Sequence, residues 1–501
     1  MYIEGGRKRL PIGSKPGGIV ETSRGKEVSE RRFNVVIVGG GFSGTTLAVQ
    51  LMRRNPLLAI AVVDKASRPG RGLAYGTEHL SHLLNVPAGQ MTALPEDPDD
   101  FVRWAQANYS PAVQSGSFLP RLVYGRYIES LFDETRFDEA PSQGTADNPK
   151  CFRDEAIGIG RKGSQFVVQL EQGEKLLAEV VVLATGNLPP SNPRIPGLPA
   201  SGQRALPSAW SRDAFDGIPQ TGSVLLIGSG LTAVDVAVAL DAKGYRGNIH
   251  VVSRHGLIPQ CHKRTEGWRQ FWYDGSPRTT RGLFRLIRDE VEVALAEGVD
   301  WRAVIDTLRP GTQEIWKSLS HGEKTRFLRH VRAYWDSHRH RVAPEIDDTL
   351  NRLKAGSRLH IYAGRITNYA KQQNSVEVTL RLRGGEREKQ LSVDRVINCT
   401  GSETDCRRVD DRLLKSLFVE GLARPDDLFL GLNVNAEGFV LDFNGVPSQS
   451  LFALGPPTKG GLWEAVAVPE LRQQAWELAE RLVRRFSGHA NAPAEKVVAH
   501  V

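Results

Sequence analysis

At 501 residues the chain is too long for one ordinary core, and at roughly 100–200 residues per domain it is expected to fold as about three units. Hydrophobic residues make up 40% and charged residues 24%, a balance that excludes a disordered or membrane-embedded class, and no run approaches a bilayer span. The net charge of +8, from 65 basic and 57 acidic residues, is a mild excess partly carried by the N-terminus and argues against a nucleic-acid partner.

Residues 1–32 are polar, basic and glycine-rich with no apolar segment, so they read as a flexible tail and not as a secretory signal. Cys151, Cys261, Cys399 and Cys406 are scattered, without a CxxC pair, which fits a reducing cytoplasm and gives no disulfide framework or dithiol centre. A first apolar run, Asn34 to Val38, suits a strand buried on both faces of a parallel sheet. It leads into Gly39-x-Gly41-x-x-Gly44, with Phe42 and Ser43 at the start of a helix that should end at Asn55-Pro56. In such a turn Gly39 permits the tight bend, Gly41 lets backbone approach a pyrophosphate, and Gly44 lets helix and strand pack closely. The next apolar run, Ala59 to Val63, ends in Asp64, twenty residues past Gly44, where a carboxylate meets a ribose hydroxyl.

The same device recurs. Ser223 to Ile227 reads as a strand, Gly228-x-Gly230-x-x-Ala233 as the turn, and Leu231 to Lys243 as the helix, followed by a strand from Asn248 to Val252. Here the acid's place falls on Ser253, followed by Arg254, and the two suit a 2′-phosphate that a carboxylate would repel, so this unit reads as NADP-specific. A further pair of apolar strands, Ala178 to Gly186 and Val393 to Gly401, each ends in Thr-Gly. Gly186 and Gly401 would then lie at the carboxyl ends of parallel strands, the edge where open α/β sheets bind ligands.

Between the two halves of the second unit, Trp301, Val304, Ile305 and Leu308 recur at helical spacing, as do Phe327, Val331, Tyr334 and Trp335, with a capping-box pattern at Ser320 and Glu323. These stripes read as core. "WRQFWYDG" (residues 268–275) either walls a pocket or anchors the inserted helices, with anchoring favoured. "HRHR" (338–341) reads equally as an anion site or as a solvated patch near Asp336 and Glu345, and its histidines lack zinc-ligand spacing. No nucleophile elbow supports hydrolysis, and no catalytic side chain can be named.

The segments Gly70 to Met91, "SRHGLIP", "HRHR" and Leu451 to Ala475 resemble a family of FAD/NAD(P)-binding bacterial flavoproteins, with distant similarity to class B flavin monooxygenases and N-hydroxylating monooxygenases. The resemblance implies an α/β fold of two Rossmann-like domains, the first turn holding FAD and the second NADPH, with a helical insertion. It places Asn85 and Val86 along the flavin ring, and Gly455 in a segment facing the ribityl chain ahead of a helix beginning near Gly461. The expected division is an FAD domain from 33–200 and 391–486, an NAD(P)H domain from 201–265 and 356–390, an insertion from 266–355, and a tail from 487–501. One departure is clear: in "ASGQRALPSAW", Gly202 and Trp210 match the Baeyer–Villiger fingerprint but Ala200 and Leu206 replace its Phe and His.

Since a nicotinamide gives up hydride and a flavin accepts it, two binding units on one chain imply a relay. The leading expectation is an NADPH-dependent flavin monooxygenase that adds oxygen from O2, through a flavin hydroperoxide, to a nucleophilic nitrogen or sulfur of a small substrate. A reductase or oxidase without oxygen insertion, and a flavin-loaded sensor or interaction protein, are the alternatives.

Overall fold

A computed structural model describes residues 30–66, 68–137, 149–198, 206–211, 214–385 and 387–489 of the chain. The Ala200 to Gly202 part of the fingerprint stretch and nearly all of both expected tails lie outside them. The first unit opens with β1 (Arg31–Val38), α1 (Phe42–Arg54) and β2 (Ile60–Asp64), followed by the short α2 (Gly72–Tyr75), α3 (Asp100–Asn108) and α4 (Arg121–Phe137). β3 (Lys150–Arg153) pairs parallel with β2, and a meander of β4 (Ala156–Lys162) and β5 (Gln165–Leu170) leads to β6 (Lys175–Leu183). β1 lies parallel between β2 and β6, Val35 opposite Ile60 and Val180. Its residues alternate between two cores: Val35 and Ile37 pack with α1, α3 and α4, while Val36 and Val38 pack with the meander. Burial on both faces explains why the strand reads as a continuous apolar run.

The second unit repeats the motif with β7 (Ser223–Ile227), α5 (Leu231–Ala242) and β8 (Asn248–Ser253), in parallel register from Ser223 opposite Asn248. Then come α6 (Thr280–Ala296), α7 (Trp301–Thr307), α8 (Thr312–Ser318), α9 (His321–His330), α10 (Arg332–Arg339) and α11 (Pro344–Ala355). β9 (Leu359–Lys371) continues the sheet beside β8, and β10 (Val376–Leu382) and β11 (Glu388–Val393) extend it antiparallel. β12 (Arg395–Asn398) pairs with β7, Asn398 opposite Ile227. The chain closes with α12 (Arg412–Val419), β13 (Phe439–Leu441), β14 (Pro447–Ala453), which joins β6 in the first sheet, and α13 (Val468–His489), packed on α1.

Two expected boundaries shift. The end of β11 and all of β12, placed by the sequence in the first unit from residue 391, belong to the second sheet, because β12 stands to β7 as β6 stands to β1. α11 is no part of the insertion: Ile346, Leu350 and Leu353 pack on α5, making it the crossover helix between β8 and β9. The expected single helix through Phe327 and Trp335 is two, broken at Val331.

Candidate functional site

The two glycine turns are built alike. Gly39 N–H donates to Val63 O at 2.8 Å and Ala184 N–H to Val38 O at 2.8 Å; their counterparts are Gly228 to Val252 at 2.8 Å and Cys399 to Ile227 at 2.9 Å. Gly39 (φ 108°) and Gly228 (φ 109°) share the left-handed region, and a Cβ on either would lie 2.2 or 2.3 Å from the carbonyl oxygen of Ala184 or Cys399. A Cβ on Gly44 would lie 1.9 Å from Gly39 O, so this glycine sets the approach of helix to turn.

Gly41 and Gly230 differ from these. Neither has positive φ, a Cβ on Gly41 would make only an ordinary 3.5 Å contact with Gly72, and one on Gly230 would meet nothing. They serve as N-caps of α1 and α5, with no side chain capping either helix. Such helix starts offer N–H groups and the positive end of the helix dipole to an anion, so the residues present fit the pyrophosphate of a dinucleotide at both turns.

Asp64 accepts a hydrogen bond from Gly40 N–H at 2.5 Å and from Ala66 N–H at 2.7 Å, tying the end of β2 to the turn. In the second unit Ser253 takes the same place: its hydroxyl lies 2.8 Å from Ser229 Oγ and accepts from Gly256 N–H at 2.9 Å. Ser253 therefore holds its own turn, and Arg254 supplies the charge. Arg254 opens onto a cavity of about 430 Å³ lined also by Arg329, Arg365, Arg381 and Arg383, with no carboxylate among its lining residues. Arg329 comes from α9 and the other three from β9, β10 and the turn after it, positions whose convergence no local sequence pattern reveals. His255 lies 2.9 Å from Arg383 through Nδ1, and burial together with Arg383 and Arg254 holds its pKa below the usual histidine value.

Gly186 and Gly401 line one cleft of about 290 Å³ between the sheets, with Thr185, Thr400, Leu231 from the start of α5, and Pro456 and Pro457 after β14. Gly455 (φ 80°) sits against the start of α1, where a Cβ would lie 2.7 Å from Ser43 Oγ. Phe42, by contrast, is a core residue whose ring packs on Tyr75 and Tyr124. Asn85 and Val86 are not among the residues lining this cleft. Asn85 O accepts from His262 Nε2 at 2.9 Å, and Val86 packs at the edge of the first core. Burial pushes the His262 pKa down to about 4, so its ring is neutral at neutral pH and Nε2 carries the proton it donates.

The sequence missed the polar groups at the cleft's back wall. Lys459, Arg332 and His340 line it, and burial lowers the Lys459 pKa to about 8. The expected helix near Gly461 is absent: irregular chain runs from Gly461 to α13 at Val468 and carries Glu464 at φ 64°, 4% exposed. Glu464 accepts from Trp335 Nε1–H at 2.7 Å and pairs with Arg339 at 3.1 Å. HRHR is thus no solvated patch. Arg341 is 2% exposed and pairs with Asp306 at 2.6 Å, His340 lies in the cleft, and the anion-site alternative has no free Arg341 to use. Glu345 takes no part; Asp336 meets His340 at 3.9 Å. Ser320 does cap α9, but Glu323 turns its carboxylate to Thr280 N–H at 2.7 Å instead of back to the cap.

Among the described residues, no group of three His, Cys, Asp or Glu could hold a metal ion, and no helix is long and apolar enough to cross a membrane. Residues 36–188 match a family model described as FAD-NAD(P)-binding. The fold is similar to that of the ornithine N-hydroxylase of Kutzneria sp. 744, at 15% identity and TM-score 0.60, covering 91% of this chain and 100% of that one. It is similar also to L-lysine 6-monooxygenase of Pseudomonas syringae, at 17% identity and TM-score 0.60, covering 90% and 99%. A third, the cadaverine monooxygenase DfoA of Erwinia amylovora, solved with FAD, matches at 13% identity and TM-score 0.61, covering 94% and 98%.

Proposed function

We propose that the protein, whose residues 36–188 match the FAD-NAD(P)-binding family model, is an NADPH-dependent flavin monooxygenase acting on a nucleophilic nitrogen or sulfur of a small molecule. The observation that carries this reading is the pair of matching glycine turns whose sheets present Gly186 and Gly401 to one cleft. When bound, FAD and NADPH supply hydride transfer and oxygen activation, chemistry that no side chain provides. In the balanced reaction one atom of O2 enters the substrate and the other leaves as water, with two electrons and a proton from NADPH and one further proton from solvent.

The chain's own residues bind and orient. The α1 start receives the FAD pyrophosphate, Asp64 a ribose hydroxyl, and Ser43 and Gly455 pin the segment from Gly455 to Pro457 against that turn. The α5 start receives the NADPH pyrophosphate, and Arg254 with its neighbouring arginines takes the 2′-phosphate. Lys459, with its lowered pKa, is the group at the cleft suited to exchange a proton near neutral pH.

The ornithine N-hydroxylase of similar fold gives the nitrogen reading its support, and the lysine and cadaverine monooxygenases support oxygenation of a small amine. The test supplies isotopically labelled O2 and NADPH to the purified holoprotein with a panel of amines and thioethers. Label in a hydroxylamine or sulfoxide supports the proposal; NADPH consumption with all oxygen recovered as peroxide would assign a reductase or oxidase instead.

A further inference from the structure

The inserted helices enclose a second cavity, of about 500 Å³, within the range of about 300–1,000 Å³ typical of small-molecule sites. Its inner walls include Phe271, Leu283, Leu308, Trp316, Leu319 and Trp463, none more than 8% exposed. Phe284 and Tyr334, 42% and 37% exposed, stand with Arg288 and Glu292 where it reaches the surface.

A wall about one side chain thick separates this cavity from the cleft. From α10, Trp335 faces the cavity while Arg332 and the adjoining His340 face the cleft; from the segment before α13, Trp463 faces the cavity while Lys459 and Val466 face the cleft. Trp463 stacks on Trp316, ring centroids 4.5 Å apart at 23°, and Trp316 Nε1–H donates to Gly460 O at 2.8 Å. The inserted helices and the chain that follows Gly455 thus share one aromatic floor.

Several of the wall's polar atoms are already partnered. Besides Trp316, Trp335 Nε1–H donates to Glu464, His338 Nδ1 lies 2.8 Å from Tyr334 O, and Thr280 Oγ1 donates to Glu323 O at 2.8 Å. Past the mouth, where Arg288 and Glu292 stand, a diamine or amino acid would lose hydration without gaining a counter-charge from the inner walls, whereas an apolar body gains about 25 cal/mol for each Å² removed from water.

We infer that this cavity is a ligand site set apart from the cleft, and that it takes a neutral aryl or branched-alkyl molecule, such as an aryl thioether, not a charged diamine of the kind named for the similar folds. The binding it requires does not rest on the monooxygenase reading. Five of the nine tryptophans line the cavity (Trp272, Trp301, Trp316, Trp335 and Trp463), so occupancy should change tryptophan emission.

The experiment titrates the FAD-loaded protein with thioanisole and, separately, with cadaverine, reading calorimetric heat and tryptophan emission, and measures NADPH-driven flavin bleaching in parallel. Thioanisole should bind and shift the emission, and cadaverine should bind at least about tenfold more weakly. Ile287→Trp or Val291→Phe, which fill the cavity from α6, should weaken thioanisole by a similar factor and leave bleaching unchanged. Absence of thioanisole binding to wild type, tighter binding of cadaverine, or unaltered affinity in a folded filled variant would each overturn the inference. So would a wild-type dimer that the filled variants abolish, since the face would then be covered by a second copy. Thioanisole binding without bleaching would keep the site and sink the monooxygenase reading instead.

Discussion

The glycines of the first turn separate fold from ligand binding. Gly39→Ala forces a side chain onto Ala184 O in a left-handed conformation, so it should yield little folded protein, read by expression and thermal melting. Gly41→Ala meets only Gly72 at 3.5 Å and should fold, yet its Cβ stands where a pyrophosphate must approach. A folded Gly41→Ala protein that retains wild-type FAD affinity would remove the first-turn assignment. At the second turn, Arg254→Ala should weaken NADPH by about tenfold or more and leave NADH nearly unaffected, measured by direct binding. Equal losses for both would contradict the phosphate assignment. His262 gives a pH signature: its folded pKa of about 4 lies below the ordinary histidine value of about 6.5, so between those values the unfolded chain binds the proton first. Stability contributed at this site is therefore present above pH 6.5 and lost as pH falls toward 4, and His262→Asn should flatten that part of the melting-temperature profile.

At the scale of elements, the legible parts were those with local rules. β1, α1, β2, β7, α5 and β8 followed from apolar runs and glycine spacing because each motif is contiguous and its period survives tertiary context. What escaped was set by contacts distant in sequence. HRHR gave no sign that Arg339 would pair with Glu464 inside the protein, or that the buried Arg341 would reach out to the half-exposed Asp306. Ser253, expected to meet the 2′-phosphate, is instead engaged with Ser229 and Gly256, which no local pattern shows. The segment before α13 is held irregular by tertiary partners, with Glu464 fixed between Trp335 and Arg339. Glu464→Ala strands a buried guanidinium and an indole N–H, and should cost about 3–5 kcal/mol by denaturant unfolding. A loss below 1 kcal/mol, about the worth of an exposed ion pair, would mean that the pair does not hold the insertion in place.

Across the whole molecule, polar contacts lock the units around the cleft. Arg121 of α4 pairs with Asp235 of α5 through bonds of 2.7 and 3.0 Å, both side chains nearly buried, and His82 Nε2 donates to Asp235 O at 3.1 Å. On the other side Arg309, just after α7, pairs with Glu470 of α13 at 2.8 and 3.1 Å. The sequence revealed two cofactor units; it could not reveal that the inserted helices dock on the first unit's C-terminal segment, because only folding joins Trp316 to Gly460 and Arg309 to Glu470. On the proposed function, these locked units hold FAD and NADPH for one another. The most direct measurement mixes the FAD-loaded protein with NADPH, and separately with NADH, without air, and follows the oxidised-flavin absorbance. Rapid bleaching by NADPH and slow bleaching by NADH at equal concentration is the predicted result. A flavin that stays oxidised under NADPH would contradict the account and leave a flavin-loaded sensor or interaction protein.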